Sequence, residues 1–446
     1  MKTDLIIIGS GPGGYRAAEY AAAHGLQVVV IEENEAGGTC LNRGCIPTKA
    51  LCRNAELIDS LRDAEALGFA NMAYDIDFGL VKERQAKVVE QLRAGVEYLM
   101  AKPGITFVRG RGCFNDSHTV AVGNEEYMAD NIIIATGARP KMPAIPSLDA
   151  DAVITSDGLL AVDRIPARLC IVGAGVIGME FASVFASFGS EVTVVEYLKE
   201  CLPMIDSDVA GRLRKAVARK GVKFFMQSAV TSVAKGIVTF ERKGKAQTVE
   251  ADEILIATGR QPNVEGLYLE AAGVQYSQHG IPTDDNMRTN IHGIYAVGDV
   301  NSRCMLAHAA TMQGIRAVNA ILGLSDSIRF DIMPSAVFTN PEAASVGVSE
   351  DYCKEQGLSY VCRKAYHRAN GKALAMNEPD GMLKLIADSG GRIIGCHAFG
   401  AHSADMVQEI GALMCRDTTL EQLKYIIHAH PTVNEMLQEA AANAQG

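Results

Sequence analysis

The sequence predicts an α/β fold with two parallel-sheet domains, the second inserted in the first, followed by a C-terminal α+β domain. Three observations support this prediction: a strand-turn-helix pattern occurs twice, two later strands end in the same three residues, and the pattern changes near residue 326. The chain has 446 residues, more than one hydrophobic core usually supports, so several domains are expected.

The first observation is an internal duplication. Residues 4–32 and 169–196 each contain an apolar strand, a Gly-x-Gly-x-x-Gly turn, a helix and a second strand ending in a glutamate, 18 positions after the third glycine. Such glycines permit a tight turn, close approach of the backbone to a pyrophosphate and packing of helix on strand, while the first helical amides bind phosphate. The duplication predicts two Rossmann-like dinucleotide-binding domains, with a purely structural turn as the alternative at each copy. The predicted binding residues are Gly9, Gly11, Gly14 and Glu32 in the first copy and Gly173, Gly175, Gly178 and Glu196 in the second.

The glutamate that ends each copy also bears on the type of nucleotide. A carboxylate at this position accepts hydrogen bonds from a ribose 2′-hydroxyl and repels a 2′-phosphate. Glu196 therefore favours NAD over NADP at the second site.

Two similar strands indicate how the domains are connected. NIIIATGARP (131–140) and ILIATGRQPN (254–263) both end in Ala-Thr-Gly, and the later strand GIYAVGDV (293–300) would return to the first sheet. Asp299 would then lie at the carboxyl end of a parallel strand, where open α/β sheets bind ligands, and a plain capping aspartate is the alternative. The expected domains are 1–145 (first part of the first dinucleotide-binding domain), 146–265 (second dinucleotide-binding domain), 266–325 (return to the first domain) and 326–446 (interface domain).

The C-terminal part is predicted to be an antiparallel sheet with helices. Strand-like stretches occur within residues 335–349 and 381–400, the second interrupted by the hairpin signal DSGG, and two helices should follow. No glycine fingerprint recurs there, and such a domain is suited to burying a subunit interface.

Composition excludes several classes of function. The net charge of −10 argues against a nucleic-acid partner, and no apolar window approaches the length of a membrane span. The chain has 11 scattered cysteines and no export signal, which predicts a reducing cytoplasm with mostly free thiols.

Against that background, the pair Cys40 and Cys45 in GGTCLNRGCIPTK (37–49) needs its own explanation. A zinc site is disfavoured because no second ligand pair stands out, and a passive disulfide would stabilise little across so small a loop. In a regular helix the two Cα atoms would be roughly 8 to 9 Å apart, whereas a disulfide needs about 4.4 to 6.8 Å. If the sulfurs bond, the segment must depart from the helix, which Gly44 and Pro47 permit. Such a pair suits a reversible redox centre, for which a flavin accepts electrons from sulfur and exchanges hydride with NAD.

Thiol exchange also needs an acid/base group, and HAHPTVNE (428–435) provides a candidate. Glu435 could orient the imidazole of His430 and stabilise its charged form, although a lone histidine is more often structural. Lys49 could pair with Glu180 and place positive charge near the flavin, with an ordinary surface lysine as the alternative.

These motifs together resemble the class I pyridine nucleotide-disulfide oxidoreductases, and among them the branch that oxidises dihydrolipoamide. The resemblance covers nearly the whole chain and also includes MLAH (305–308) and TNPEAASVG (339–347). It implies that FAD binds to the first domain and NAD to the second. The FAD residues would include Glu32, Lys49, Gly112, Thr136, Gly137, Asp299, Met305, Leu306, Ala307 and His308, and the NAD residues Gly173, Gly175, Gly178, Glu180, Glu196 and Gly259.

The resemblance further implies roles for the sulfurs and a dimer. Cys40 would exchange with substrate, Cys45 would face the flavin, and His430 with Glu435 would come from the partner subunit of a homodimer. The substrate would be the lipoyl group of a 2-oxo acid dehydrogenase or glycine-cleavage complex, without metal, nucleic acid or membrane.

Other functions of the same family are the alternatives. Chains similar to glutathione reductases bind NADPH through arginines near the position of Glu196. Mercuric reductases usually lack a histidine equivalent to His430 and add a C-terminal cysteine pair. A non-catalytic flavoprotein subunit would not need the intact set of cysteines and histidine. One stretch departs from the family pattern: Ala309 to Gln313 replace a lysine and acidic residues, which could alter the flavin potential or the docking of a partner.

Overall fold

The computed structural model describes residues 1–443 and divides the chain into two compact units. The first unit contains residues 1–50, 82–141 and 259–328, and the second contains residues 51–81, 142–258 and those from 329 onward. The four domain limits given above remain a prediction.

The first unit is built on a parallel five-stranded sheet. Its strands lie in the spatial order Ile294–Ala296, Asn131–Ile134, Leu5–Ile8, Val28–Glu32 and Ile105–Arg109. The predicted return of the chain to this sheet after the insertion is confirmed, because Ile294 pairs in parallel with Ile132. Two small antiparallel sheets complete the unit, one of Gly112–Phe114, Thr119–Val122 and Glu125–Met128 and the other of Ala138–Pro140 and Arg260–Pro262.

The apolar character of the central strands follows from their burial. Leu5, Ile6 and Ile7 are fully buried, since a parallel strand with both faces covered needs apolar side chains on both. The helices of this unit are Pro12–Ala23, Gly38–Arg43 and Ala307–Leu322, with a 3₁₀ turn at Gly298–Asn301. Two longer helices, Cys45–Arg62 and Phe78–Met100, have residues in both units.

The second unit contains the duplicated dinucleotide fold and the C-terminal sheet. A parallel sheet has the order Lys223–Phe225, Glu191–Val195, Arg168–Val172 and Glu253–Ile256, and a second sheet has the order Lys245–Glu250, Ile237–Arg242, Ser228–Ala234 and Ser147–Leu148. Its helices before the C-terminal part are Ser156–Ala161, Val176–Phe188 and Ser207–Arg219, with 3₁₀ turns at Ala64–Leu67 and Ala150–Ala152.

The C-terminal sheet is antiparallel, as predicted. Its order is Ser335–Val337, Ala343–Gly347, Ile393–Phe399, Met382–Asp388 and Tyr360–Tyr366, and the DSGG stretch forms the predicted hairpin turn. Three helices rather than two follow it, because a single turn capped by Thr419 precedes the last one. The helices of this part are Glu350–Glu355, Gly371–Ala375, Ser403–Met414, Leu420–Leu423 and Glu435–Ala442, with a 3₁₀ turn at His367–Ala369. Within residues 1–443, no helix has the length and apolar character needed to cross a membrane.

A buried lysine joins elements of the second unit. The Lys384 side chain is 1% exposed, and its Nζ lies 2.6 Å from Asp206 Oδ1 and 2.9 Å from Glu350 Oε2. Asp206 also caps the helix Ser207–Arg219 by accepting a hydrogen bond from the Asp208 amide. Burial disfavours the Glu350 carboxylate, but hydrogen bonds from Lys354 and Lys384 outweigh that effect and lower the pKa of Glu350 to about 2.

Replacement of Lys384 by methionine should destabilise the protein by about 3 to 5 kcal/mol, because it leaves the buried Asp206 carboxylate without its cation. Thermal unfolding would measure the loss, and Lys364→Met, which removes a partly exposed amine, serves as the control. Equal unfolding temperatures for the two variants would contradict this expectation.

In the wild type, the stability that Glu350 contributes should be complete above its ordinary pKa of 4.5 and disappear as the pH falls toward 2. Thermal unfolding measured across this pH range would test this dependence.

Candidate active site

Cys40 and Cys45 are brought together by a break between two helices. The helix Gly38–Arg43 ends at Gly44, and the next helix begins at once with Cys45. The two sulfurs form a disulfide bond, with the Cα atoms 4.8 Å apart, so the predicted departure from helical geometry is present. A Cβ on Gly44 would lie 3.0 Å from the Thr39 carbonyl oxygen and 3.2 Å from the Cys40 Cα, which explains why glycine occupies the break.

The turn around the disulfide is held by hydrogen bonds that the sequence did not reveal. Asn42 Nδ2 donates to the carbonyls of Ala36 and Gly38, and Arg93 Nε donates to Asn42 Oδ1 at 2.8 Å. Gln85 Nε2 donates to the Pro47 carbonyl at 3.2 Å. Arg93 and Gln85 come from a helix some 40 to 50 positions further along the chain, and no local pattern predicts such contacts.

The first glycine turn has room for a phosphate at the start of a helix. Gly11 is the N-cap of the helix Pro12–Ala23, no side chain caps it, and the nearest atom to a Cβ there would be 3.9 Å away. By contrast, a Cβ on Gly14 would lie 1.9 Å from the Gly9 carbonyl oxygen, as expected where helix packs on strand. Glu32 is buried, and its Oε2 accepts hydrogen bonds of 2.8 Å from the amide and hydroxyl of Ser10.

The second glycine turn repeats this arrangement. Gly175 caps the helix Val176–Phe188 without a side-chain hydrogen bond, and no atom lies within 4 Å of a Cβ built there. A Cβ on Gly178 would lie 2.0 Å from the Gly173 carbonyl oxygen. Glu196 accepts hydrogen bonds from the amides of Ala174 and Leu198 at 2.5 and 2.7 Å. Both turns therefore present free helical amides and open space next to a fixed carboxylate, which fits the pyrophosphate and ribose of a dinucleotide.

Other residues predicted for the first cofactor lie at one edge of the first sheet. Gly9, the Thr136-Gly137 turn and Asp299 follow the carboxyl ends of three adjacent parallel strands, the edge at which such sheets bind ligands. Thr136 Oγ1 donates to the Asn263 carbonyl at 2.7 Å, and Asn263 Nδ2 donates back to the Thr136 carbonyl. Gly112 begins a buried strand of the same unit.

Asp299 has a partner that the sequence reasoning missed. Burial raises the pKa of Asp299 above its ordinary value, and the guanidinium of Arg260, with Nε 3.5 Å from Asp299 Oδ2, opposes that rise. Arg260 directly follows the second Ala-Thr-Gly motif, so its place after a strand end was the available signal.

The stretch Ala309 to Gln313, which is expected to depart from the family pattern, contributes to this edge. Gln313 is 2% exposed, and its Oε1 accepts hydrogen bonds from the Gly298 amide at 2.7 Å and from Asn301 Nδ2 at 2.9 Å. It therefore holds the turn that presents Asp299. The preceding residues Met305 and Leu306 lead into the helix Ala307–Leu322, which includes Ala307 and His308.

Three further predicted residues are placed as follows. Lys49 lies in the first turns of the helix Cys45–Arg62, and Gly259, with φ of +120°, belongs to the first unit. Glu180 is buried in the second unit, where its Oε1 accepts a hydrogen bond of 2.9 Å from the Phe338 amide. The pairing of Lys49 with Glu180 and the role of Gly259 toward NAD remain predictions.

His430 and Glu435 form the expected dyad in the second unit. His430 Nδ1 lies 2.9 Å from Glu435 Oε1, and the Thr432 amide donates to Glu435 Oε2 at 2.9 Å. The hydrogen bonds from the Thr432 amide and from His430 hold the pKa of Glu435 below its ordinary value. The His430 side chain is 80% exposed, so the imidazole is oriented by the carboxylate yet accessible. In residues 1–443, no group of three or more His, Cys, Asp or Glu residues is arranged to hold a metal ion.

Comparison with known families accounts for nearly the whole chain. Residues 3–314 match the family described as pyridine nucleotide-disulphide oxidoreductase, and residues 333–441 match the dimerisation domain of that family. A dihydrolipoyl dehydrogenase of Chlamydia muridarum is 39% identical, covering 98% of this chain and 96% of that protein. Proteins of the same name from Bacillus subtilis and Mycobacterium tuberculosis are 38% and 40% identical, covering 100% and 98% of this chain and 97% of each relative.

A solved structure shows the same fold. The flavoprotein disulfide reductase RclA from Escherichia coli, in its Cu(II) complex, superposes with a TM-score of 0.89 at 29% identity, covering 100% of both chains.

The two kinds of glycine in the second turn should behave differently when valine replaces them. Gly175→Val should leave folding and flavin content unchanged but weaken NAD⁺ binding roughly 10-fold or more, because the side chain would occupy the space for the pyrophosphate. Gly178→Val should instead prevent folding, since its Cβ would overlap the Gly173 carbonyl. Calorimetric titration with NAD⁺ would measure the difference, and unchanged affinity in Gly175→Val would exclude this turn as the nucleotide site.

Proposed function

Because the chain belongs to the pyridine nucleotide-disulphide oxidoreductase family, we propose that it oxidises protein-bound dihydrolipoamide to lipoamide and transfers the electrons to NAD⁺. The observation that carries the proposal is the Cys40–Cys45 disulfide, which lies in the same unit as the first dinucleotide turn. Support for the substrate comes from relatives named dihydrolipoyl dehydrogenase at 36 to 40% identity.

The cofactors of this enzyme are FAD and NAD, as in its family. The residues around Gly11 and Glu32 would hold FAD, and those around Gly175 and Glu196 would hold NAD. When bound, the flavin accepts an electron pair from a thiolate and passes it to nicotinamide as hydride.

The cysteine pair carries the exchange with substrate. One dihydrolipoyl thiol gives its proton to His430, and its sulfur attacks the Cys40 sulfur, so that the Cys40–Cys45 bond breaks and Cys45 leaves as a thiolate. The second lipoyl thiol then attacks the lipoyl sulfur of the mixed disulfide, which closes lipoamide and releases Cys40 as a thiol. The protein disulfide is thereby reduced to a dithiol by two electrons.

Glu435 makes His430 an effective base. Its carboxylate accepts from Nδ1, which fixes the tautomer with a free Nε2 and stabilises the imidazolium formed when a proton is taken up.

The quaternary structure we infer is a homodimer with shared active sites. The match of residues 333–441 to a dimerisation domain supports the dimer. The exposure of His430 at 80% and of the neighbouring apolar Ile427 at 93% supports a position where a second subunit covers this segment. In that arrangement His430 and Glu435 would serve the cysteine pair of the other subunit.

The partner and compartment are proposals as well. The lipoyl groups would belong to a 2-oxo acid dehydrogenase or glycine-cleavage complex. The nine free cysteines beside one disulfide are consistent with work in a reducing cytoplasm.

A second candidate is reduction of a different disulfide by a flavoprotein disulfide reductase. The similarity to RclA favours this second candidate. However, the chain is 29% identical to RclA and 40% identical to the dihydrolipoyl dehydrogenase of Mycobacterium tuberculosis.

Turnover of dihydrolipoamide with NAD⁺ tests the proposed function. The purified enzyme should be yellow and reduce NAD⁺ at least 10-fold more efficiently than NADP⁺, because Glu196 would repel the 2′-phosphate. Glu196→Ser should reduce the preference for NAD⁺ over NADP⁺ without affecting flavin content. A wild-type enzyme that binds flavin but turns over another disulfide, and not dihydrolipoamide, would support the second candidate instead.

Replacement of His430 by glutamine should separate the two halves of the reaction. Dihydrolipoamide oxidation should fall roughly 10²- to 10⁴-fold, because thiol exchange loses its base. Oxidation of NADH by ferricyanide, which needs no thiol exchange, should stay within about twofold of the wild-type rate. A parallel loss of both activities would show that His430 supports the fold or the cofactor rather than the exchange.

A further inference from the structure

The segment that carries His430 has little regular structure of its own. Residues 425–434 connect the short helix Leu420–Leu423 with the last helix, Glu435–Ala442, and His430 in its middle is exposed. A base on such a segment must be held in place by contacts elsewhere, since side chains that are free to move seldom align for proton transfer.

Glu409 holds this segment on both sides of His430. One carboxylate oxygen, Oε1, lies 3.0 Å from His428 Nε2, and the other, Oε2, accepts a hydrogen bond of 2.7 Å from Asn434 Nδ2. His428 and Asn434 are six positions apart with His430 between them, so a single carboxylate fixes both ends of the loop.

The His428 side chain strengthens this contact. It is 5% exposed, and its other ring nitrogen, Nδ1, lies 3.0 Å from the Ile426 carbonyl oxygen. Both ring nitrogens therefore lie next to acceptor oxygens, so the ring is held between Glu409 and the backbone.

The helix that carries Glu409 is itself well anchored. In the helix Ser403–Met414, Met406, Val407 and Ile410 are buried and pack in the core of the C-terminal sheet. Glu409 thus links the loop of His430 to a helix that is held in place by core packing.

We propose that Glu409 is a positioning residue for thiol exchange, which fixes the loop that presents His430. This inference rests on the proposed function for its kinetic consequence. Neither His428 nor Glu409 touches the reacting sulfurs in this account, and Glu409 acts only through His430.

Glu409→Gln is the variant that tests the proposal, because its amide oxygen can accept from only one of the two donors. Dihydrolipoamide turnover should fall roughly 10-fold, with NADH oxidation by ferricyanide unchanged. Glu421→Gln provides a matched control, since Glu421 lies in the same domain, is exposed and contacts Lys424. That control should retain wild-type turnover.

A double-mutant cycle separates positioning from a general structural role. In the His430→Gln background, Glu409→Gln should cause no further loss, because the residue it positions is already absent. An additional 10-fold loss in that background, or an equal loss of the ferricyanide activity, would overturn the proposal.

Hydrogen exchange provides a measurement that does not depend on the substrate. Amides of residues 426–434 should exchange faster in Glu409→Gln than in the wild type and in Glu421→Gln. Unchanged exchange in this loop would overturn the inference even if dihydrolipoamide is the substrate. Faster exchange together with no dihydrolipoamide turnover by the wild type would uphold the role of Glu409 and refute the proposed function instead.

Discussion

The disulfide between Cys40 and Cys45 spans a tight turn at Gly44, where a side chain would crowd the backbone of Thr39 and Cys40. One helix ends there and the next begins without a connecting loop, and the two Cα atoms of the cysteines lie 4.8 Å apart. The second helix, Cys45–Arg62, continues into the other compact unit, where Asp59 accepts hydrogen bonds from Ser187 and Asn340. Asp59 on this helix is thus held by polar contacts within the second unit.

The two dinucleotide turns have the same local structure. In each, the first and third glycines are required by contacts within the protein, whereas the second leaves open space at a helix N-terminus. The first site has an additional feature at the neighbouring strand end, where Gln313 fixes the turn that carries Asp299. Within residues 309–313, Gln313 therefore has a structural role at the first site.

The features predicted correctly from the sequence are those with a local pattern. Both strand-turn-helix units, the returning strand and the C-terminal hairpin follow from glycine spacing and apolar runs, and helix geometry predicted that the segment must bend if Cys40 and Cys45 bond. Contacts between distant residues left no such pattern. The hydrogen bond from Arg93 to Asn42, the ion pair of Arg260 with Asp299 and the hydrogen bond from Lys384 to Asp206 join residues 51, 39 and 178 positions apart in the chain. Glu409 also contacts residues distant in the chain, and nothing in its neighbouring sequence distinguishes it from a surface glutamate.

Electrons pass between substrate and nicotinamide through the pair Cys40 and Cys45. Isotope-coded alkylation with peptide mass spectrometry, before and after anaerobic reduction by NADH, measures the redox state of each cysteine. Cys40 and Cys45 should change from unlabelled to labelled, while the nine free cysteines keep their labelling. Persistence of the Cys40–Cys45 bond in the presence of NADH, with flavin bound, would show that electrons take another route.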